Sequence, residues 1–175
     1  MIVYRHADPR FPFLWESEEQ PPARWHGAGE GPVQYFADTP DGAWAEFVRH
    51  EGLTKASELA NVRRALWAVE VPDDLPVSTP ELDEAVLCGG LASHEKCRQE
   101  ARRLRREGAV ALRAPSAALL PGGARGWKVD AGLQPGAERN GLVIAVFGPR
   151  PDLTGWMAAF AARPSGDLLA RVRYL

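Results

Sequence analysis

Short apolar runs separated by glycine- and proline-rich turns make up most of the hydrophobic pattern of the chain. Runs of this kind predict strands. The run at 142–147 is apolar at every position, which is typical of a strand buried on both faces. The predicted strands cover residues 1–5, 32–37, 65–71, 109–113, 142–147 and 168–174.

Two segments carry helix signals at both ends. Thr39 is a favourable N-cap residue before Pro40, and Gly52 ends the segment. A second helix is predicted over residues 93–107, with Gly108 as its stop. Because the strands outnumber the helices and do not alternate regularly with them, the pattern predicts an α+β fold rather than a doubly wound parallel sheet.

Residues 8–32 are rich in proline and glycine and predict a long ordered loop. Long loops inside compact domains are often functional. We expect bulky apolar side chains to hold this loop against the rest of the protein: Phe11, Phe13, Leu14 and Trp15.

The length and charge of the chain narrow the class of protein. With 175 residues it can build one hydrophobic core but not two comfortable ones, so we expect a single domain over residues 1–175. Lysine and arginine total 21 against 23 acidic residues, a net charge of -2. A dedicated nucleic-acid-binding protein usually shows a basic excess, so we expect no direct binding to nucleic acid.

The chain also lacks the usual signals of export. The first residues hold no apolar run typical of a secretory signal, and the apolar runs elsewhere are too short to span a membrane. Cys88 and Cys97 are expected to be reduced thiols. Together these features predict a cytoplasmic protein.

Three familiar kinds of site fit the sequence poorly. Cys88, His94 and Cys97 lack a fourth nearby ligand, so no metal is expected. The glycine-rich stretch at 26–32 lacks the Lys-Ser/Thr pair of a phosphate-binding P-loop. The arginines of the helix at 93–107 alternate with glutamates, which favours a solvated helix face over a basic patch.

Three polar residues have two interpretations each. Glu46 points away from the apolar residues of its predicted helix, so it faces either solvent or a cleft. Arg24, beside Trp25, is either a surface arginine or a bidentate phosphate ligand. Ser116 follows a strand, where serine is usually a turn or cap residue, and the absence of a surrounding G-x-S-x-G motif argues against the other interpretation, a nucleophile.

In combination, however, several short motifs resemble the RES domain family, which is named for an arginine, a glutamate and a serine. The motifs are Arg24-Trp25, the stretch Gly31-Pro32-Val33-Gln34-Tyr35-Phe36-Ala37-Asp38, Ala43-Trp44-Ala45-Glu46 and Ala114-Pro115-Ser116-Ala117. The resemblance extends to Arg5 and to Arg139-Asn140. The chain departs from the family pattern where Pro22-Ala23 replaces the usual Gly-Gly pair and where Phe147-Gly148-Pro149 replaces the expected Asn-Pro ending.

The resemblance implies a fold and an activity. RES-domain proteins are typically toxins encoded beside an Xre-type antitoxin, with a mixed sheet core like that of ADP-ribosyltransferases and flanking helices. They consume NAD as a substrate by cleaving its nicotinamide–ribose bond, by hydrolysis or phosphorolysis. Two alternatives are a protein ADP-ribosyltransferase and a catalytically silent domain that binds a nucleotide or a partner.

The same resemblance suggests a role for each residue. Glu46 is expected to stabilise the ribose cation, and Arg5 and Arg24 to bind the pyrophosphate. Tyr35 is expected to pack on the nicotinamide or its ribose, and Ser116 to orient that part of the substrate by a hydrogen bond.

Overall fold

The computed structural model describes residues 1–174. In that part of the chain the strands are β1 (Ile2–Ala7), β2 (Val33–Ala37), β3 (Arg64–Glu70), β4 (Val77–Ser78), β5 (Ala111–Pro115), β6 (Trp127–Val129), β7 (Leu133–Pro135), β8 (Leu142–Phe147) and β9 (Thr154–Ala162). The helices are α1 (Pro40–His50), α2 (Ala56–Leu59), α3 (Glu84–Leu87) and α4 (His94–Arg106). Two 3-10 segments, Leu91–Ser93 and Gly166–Arg171, complete the regular structure described.

Seven strands form one mixed sheet in the order β4-β5-β8-β2-β1-β3-β9. Neighbouring strands run antiparallel except β4 and β5, which are parallel. Strands β6 and β7 form a separate hairpin. The expected α+β fold with a mixed sheet and flanking helices is confirmed.

The sheet opens at its centre, between β1 and β2. In the described chain these two strands share one register pair, Tyr4↔Ala37. By contrast, β1 pairs with β3 along its whole length, from Ile2↔Glu70 to Ala7↔Ala65. Beyond Tyr4 the two central strands therefore diverge. Their backbones no longer pair with each other there, and the gap between them forms a cleft.

Apolar clusters cover both faces of the sheet. On one face, α1 packs Trp44 and Val48 near Leu66 of β3, while Leu104 of α4 packs on the β5 and β8 side. The opposite face holds a third cluster that includes Phe36. The divergence of β1 and β2 lies between the α1 cluster and the α4 cluster, so helices flank the cleft on both sides.

Helix α1 begins and ends as the sequence predicts. The Thr39 hydroxyl accepts a hydrogen bond from the Gly42 amide at 3.0 Å, and Pro40 occupies the first helical position. Gly52 follows the helix with a φ of 64°, a conformation that glycine adopts without strain. These signals fix where the helix that carries Glu46 begins and ends.

The C-terminal segment differs from the prediction. The strand predicted over residues 168–174 is wrong, because Gly166–Arg171 is a 3-10 helix and only Val172 makes an isolated bridge, to Leu119. Leu168 and Val172 are both buried in the apolar cluster that includes α1, so tertiary packing rather than strand pairing holds this segment. No helix among residues 1–174 is long and apolar enough to cross a membrane.

Candidate active site

A cavity of about 1290 Å³ lies where β1 and β2 diverge. Its walls come from these two strands, from α1, from the start of α4 and from the long loop at 8–32. Four of the predicted site residues line it: Arg5, Arg24, Tyr35 and Glu46. Residues from four separate parts of the sequence therefore meet at one hollow.

Glu46 projects from α1 into the cavity and accepts a hydrogen bond from the Ser116 hydroxyl at 3.3 Å. Burial raises the pKa of this carboxyl. The charges of Arg49 and Arg24 and the bond from Ser116 act in the opposite direction. The geometry thus gives a carboxylate in a poorly hydrated position, with cations close enough to favour its ionised form.

Ser116 stands behind Glu46 rather than at the cavity surface. It is 5% exposed, it is not among the residues that line the cavity, and its Oγ also accepts a hydrogen bond from the Ala118 amide at 3.2 Å. The backbone amide of Ser116 donates to the Gly141 carbonyl at 2.8 Å. The hydroxyl is therefore fixed by the chain and directed at the Glu46 carboxylate.

The guanidinium of Arg24 lines the cavity and also ties the long loop to the connection between α3 and α4. Its Nη1 donates to Ser93 Oγ at 3.0 Å, and its Nη2 donates to the Gly89 carbonyl at 2.6 Å. The turn around Arg24 is closed by a hydrogen bond from the Ala23 amide to the His26 carbonyl at 3.0 Å. Pro22-Ala23 in place of the usual Gly-Gly pair is thus compatible with a tight turn here.

Tyr35 presents its ring to the cavity, while its hydroxyl is held at the back. The hydroxyl accepts a hydrogen bond from the Trp25 amide at 3.0 Å and lies 2.9 Å from Nδ1 of His26. Burial raises the pKa of the phenol, so it stays protonated at neutral pH. What Tyr35 offers a ligand is a rigid aromatic surface.

Arg5 enters the cavity from the β1 side. Its Nη1 donates to Gln34 Oε1 at 2.6 Å, and its guanidinium carbon lies 5.6 Å from the centre of the Phe36 ring. Burial lowers the pKa of Arg5 to about 10, which leaves it charged at neutral pH. Within the described residues, the buried Nε of Arg5 has no hydrogen-bond partner.

Sequence reasoning missed further residues of the cavity lining, among them Arg49, Arg64, His94 and His6. Arg49 donates to the carbonyls of Ala117 and Gly89, and it lies one turn from Glu46 on α1, a spacing that could have revealed it.

The two histidines are neutral members of the cavity wall. Burial and nearby arginines, Arg24 foremost, lower the pKa of His94 to about 4. Burial lowers the pKa of His6 to about 3, and Nδ1 of His6 lies 3.2 Å from Nη2 of Arg64. No local sequence signal marks either histidine.

Among the charged side chains of the cavity lining, arginines outnumber carboxylates. Four arginines face it, against the carboxylates of Asp8, Glu16 and Glu46. The four are Arg5, Arg24, Arg49 and Arg64. A concave site with this many fixed guanidinium groups suits an anionic ligand, and the aromatic rings beside them suit a planar one.

Most of the arginines of α4 are paired or hydrogen-bonded. Arg103 bridges Glu100 and Glu107, and Arg102 bridges Glu30 and Glu95. Arg98 donates to the Ala23 carbonyl at 2.9 Å. This helix face therefore anchors the glycine-rich part of the long loop.

Other predicted features lie apart from the cavity lining. Arg139 pairs with Asp38, and the Asn140 side chain accepts a hydrogen bond from the Gly122 amide at 2.9 Å. Cys88 and Cys97 are buried and free of disulfide bonds. Among residues 1–174, no cluster of three or more His, Cys, Asp or Glu side chains could hold a metal ion.

Comparisons with known proteins identify the family of the chain and a similar fold. Residues 2–129, more than half of the chain, match the RES domain family. A chain of the crystal structure of the M. tuberculosis MbcT–MbcA toxin–antitoxin complex is similar in fold, with a TM-score of 0.62 and 16% sequence identity. That similarity covers 97% of this chain and 86% of the other. No curated protein sequence matches.

Proposed function

Because the chain belongs to the RES domain family, we propose that it is an enzyme that consumes NAD by cleaving the bond between nicotinamide and ribose. The observation that carries the proposal is the convergence of the Glu46 carboxylate with several arginines on one cavity. NAD matches this combination, because it joins planar rings through a doubly charged pyrophosphate and becomes more cationic at one ribose as it reacts.

The chemistry requires little proton transfer. The nicotinamide nitrogen carries positive charge, so the C–N bond breaks with both electrons moving to nitrogen, and neutral nicotinamide leaves without a general acid. This distinguishes the reaction from ordinary glycoside hydrolysis, which needs a carboxylic acid to protonate the leaving group. What remains is an oxocarbenium-like ribose that a nearby anion can stabilise.

Glu46 supplies that anion. Its carboxylate accepts a hydrogen bond from a ribose hydroxyl and faces the developing positive charge. Ser116 is a positioning residue here: its hydrogen bond at 3.3 Å holds the carboxylate and favours its ionised form. Arg49, on the same helix, supports ionisation through its charge.

The remaining residues hold the dinucleotide. Arg5 and Arg24 bind the pyrophosphate through their guanidinium groups. Tyr35 packs its ring against the nicotinamide or its ribose. A water molecule or an inorganic phosphate then attacks the ribose carbon, and the product is ADP-ribose with loss of a proton, or a phosphorylated ADP-ribose.

We further propose that the chain is a cytoplasmic toxin whose activity is held in check by an Xre-type antitoxin. Family membership supports this, and so does the similar fold of a chain in a toxin–antitoxin complex. Co-expression with the candidate antitoxin followed by co-purification tests the partnership. An antitoxin that neither co-purifies nor lowers NAD consumption contradicts it.

The test of the activity is product analysis. The purified chain is incubated with adenine-labelled NAD, with and without inorganic phosphate, and the products are separated by chromatography. We expect nicotinamide and ADP-ribose in equal amounts, with a phosphorylated product when phosphate is the acceptor. Label on protein instead indicates an ADP-ribosyltransferase, and NAD binding without nicotinamide release indicates a silent binding domain.

A matched pair of variants identifies the carboxylate. Glu46→Gln removes the anion from the cavity, and kcat should fall by about 10²–10³, the cost of losing one preorganised electrostatic stabiliser. Glu51→Gln alters an exposed glutamate at the end of the same helix and should leave turnover unchanged. Full turnover by a folded Glu46→Gln variant contradicts the role given to Glu46.

A further inference from the structure

Gln34 is a fully buried amide in the middle of β2, and its polar atoms all face one region. Its Oε1 accepts from Arg5 Nη1 at 2.6 Å and from the Trp15 amide at 3.3 Å. Its Nε2 donates to the Trp15 carbonyl at 2.5 Å and to Glu16 Oε1 at 3.0 Å. A side-chain amide can accept two hydrogen bonds and donate two, and the four bonds of Gln34 use this full capacity.

This network joins two parts of the cavity wall. Arg5 belongs to β1, whereas Trp15 and Glu16 belong to the long loop, and all three line the cavity. Trp15 is 53% exposed and Phe11 is 64% exposed, although both rings lie at the cavity. The loop at 11–17 thus presents two apolar rings to a ligand. Apolar packing of Phe13 and Leu14 on the third cluster holds the loop together with the hydrogen bonds to Gln34.

A second glutamine holds the same point of the loop but does not touch Arg5. Gln20 Nε2 donates to the Trp15 carbonyl at 2.7 Å, and its Oε1 accepts from the Val33 amide at 2.8 Å. The two glutamines therefore share the Trp15 carbonyl, while only Gln34 also contacts the guanidinium. This difference offers an internal control.

We infer that Gln34 is a positioning residue that holds the Arg5 guanidinium and the loop at 11–17 as one preformed wall for the dinucleotide. The inference rests on the proposed function, because it assigns Arg5 to the pyrophosphate. These partners require a side chain that accepts two hydrogen bonds and donates two, as an amide does. Because the wall is already ordered, less conformational entropy is lost when the dinucleotide binds. Gln34 should therefore increase the affinity for the substrate rather than the rate of bond cleavage.

Kinetics provide the first test. Gln34→Met keeps a side chain of similar length but loses all four hydrogen bonds. We expect KM for NAD to rise about tenfold, with kcat within about threefold of the wild type, since hydrogen bonds that involve charged groups are being lost from the bound state. Gln99→Met, at an exposed position of α4, is the matched control and should change neither value.

A double-mutant cycle separates positioning from general damage. If Gln34 acts through Arg5, then Arg5→Met should raise KM much less in the Gln34→Met background than in the wild type. Gln20→Met loosens the loop but keeps the partner of Arg5, so its effect and that of Arg5→Met should combine independently. Independent effects of Gln34 and Arg5, or a loss confined to kcat, overturn the inference.

Hydrogen exchange tests the same inference without NAD turnover. The Trp15 amide should exchange slowly in the wild type and in Gln99→Met, and faster in Gln34→Met. Unchanged exchange in Gln34→Met overturns the inference even if the enzyme cleaves NAD. Faster exchange in a chain that does not cleave NAD supports the positioning and refutes the proposed activity alone. Gln34→Asn, which keeps the amide but shortens its reach, replaces Gln34→Met if that variant does not fold.

Discussion

The carboxylate of Glu46 lies in the α1 wall of the cavity, where burial raises its pKa above the ordinary range of glutamate. Below the pKa of the unfolded state, both states hold the proton and the shift has no effect. Between that pH and the raised pKa the native state holds more protons, so the free energy of unfolding falls as pH rises. At neutral pH, Glu46 therefore makes the fold less stable.

Removing the charge of this buried carboxylate should stabilise the protein. Glu46→Gln should raise the free energy of unfolding at pH 7 by about 0.5–2 kcal/mol, the size typical of relieving a functional site of strain or charge. Urea unfolding at pH 7 and pH 4 measures this gain in stability. The gain should shrink at pH 4, because the wild-type carboxyl is then protonated and uncharged like the glutamine. An equal gain at both pH values contradicts the electrostatic explanation.

Arg49 carries a charge that lowers the pKa of Glu46 against the effect of burial. Arg49→Met removes that charge, so the pKa of Glu46 should rise further and the ionised form should be lost at a higher pH. The acid limb of kcat against pH should therefore move to higher pH. Arg113→Met, on an exposed position of β5, should leave the limb in place. An unmoved limb in Arg49→Met shows that another group controls the profile.

At the scale of the element, α1 links a local sequence signal to the site. The Thr39 hydroxyl satisfies the Gly42 amide at the start of the helix. Thr39→Ala should lower the free energy of unfolding by about 1 kcal/mol. Thr39→Ser should lower it by much less, because serine keeps the accepting oxygen. Urea unfolding of the three proteins measures the difference. Equal losses in both variants argue against capping as the cause.

Elements with strong local signals could be predicted from the sequence, and those without them could not. Helix α1 and the central strand β8 carry caps or a continuous apolar run, and the structure confirms both. Strand β9 has no alternating pattern, because it is an edge strand with apolar side chains such as Trp156 and Phe160 exposed. The segment at 168–174 has an alternating pattern, yet tertiary packing of Leu168 makes it helical.

At the scale of the whole molecule, the cavity depends on a feature that sequence patterns do not encode. Its location follows from the divergence of β1 and β2 after Tyr4↔Ala37. The resemblance to a family predicted that Arg24 and Glu46 share one site, but hydrogen-bond partners such as Gln34 for Arg5 depend on strand packing. Family motifs therefore predicted which residues meet, whereas the shape of the site came from the sheet.

Buried and half-buried histidines contribute to the loss of stability of the whole fold in acid. Burial lowers the pKa values of three of them, and that of His6 falls to about 3. The three are His6, His26 and His94. In the unfolded chain each binds a proton near pH 6.5, so below that pH the unfolded state holds more protons and the free energy of unfolding falls as pH falls.

His6 should contribute about as much to this loss as His94 between pH 7 and pH 5, because both pKa values lie below that range in the native state. Replacing His6 by glutamine removes the proton uptake, so the stability of His6→Gln should change less between pH 7 and pH 5 than that of the wild type, by about 1–2 kcal/mol. Urea unfolding at both pH values measures the difference. Glu46 contributes in the opposite direction in both proteins, so its contribution cancels when the variant is compared with the wild type. If His6→Gln and the wild type lose the same free energy of unfolding between pH 7 and pH 5, His6 is not held neutral in the native state.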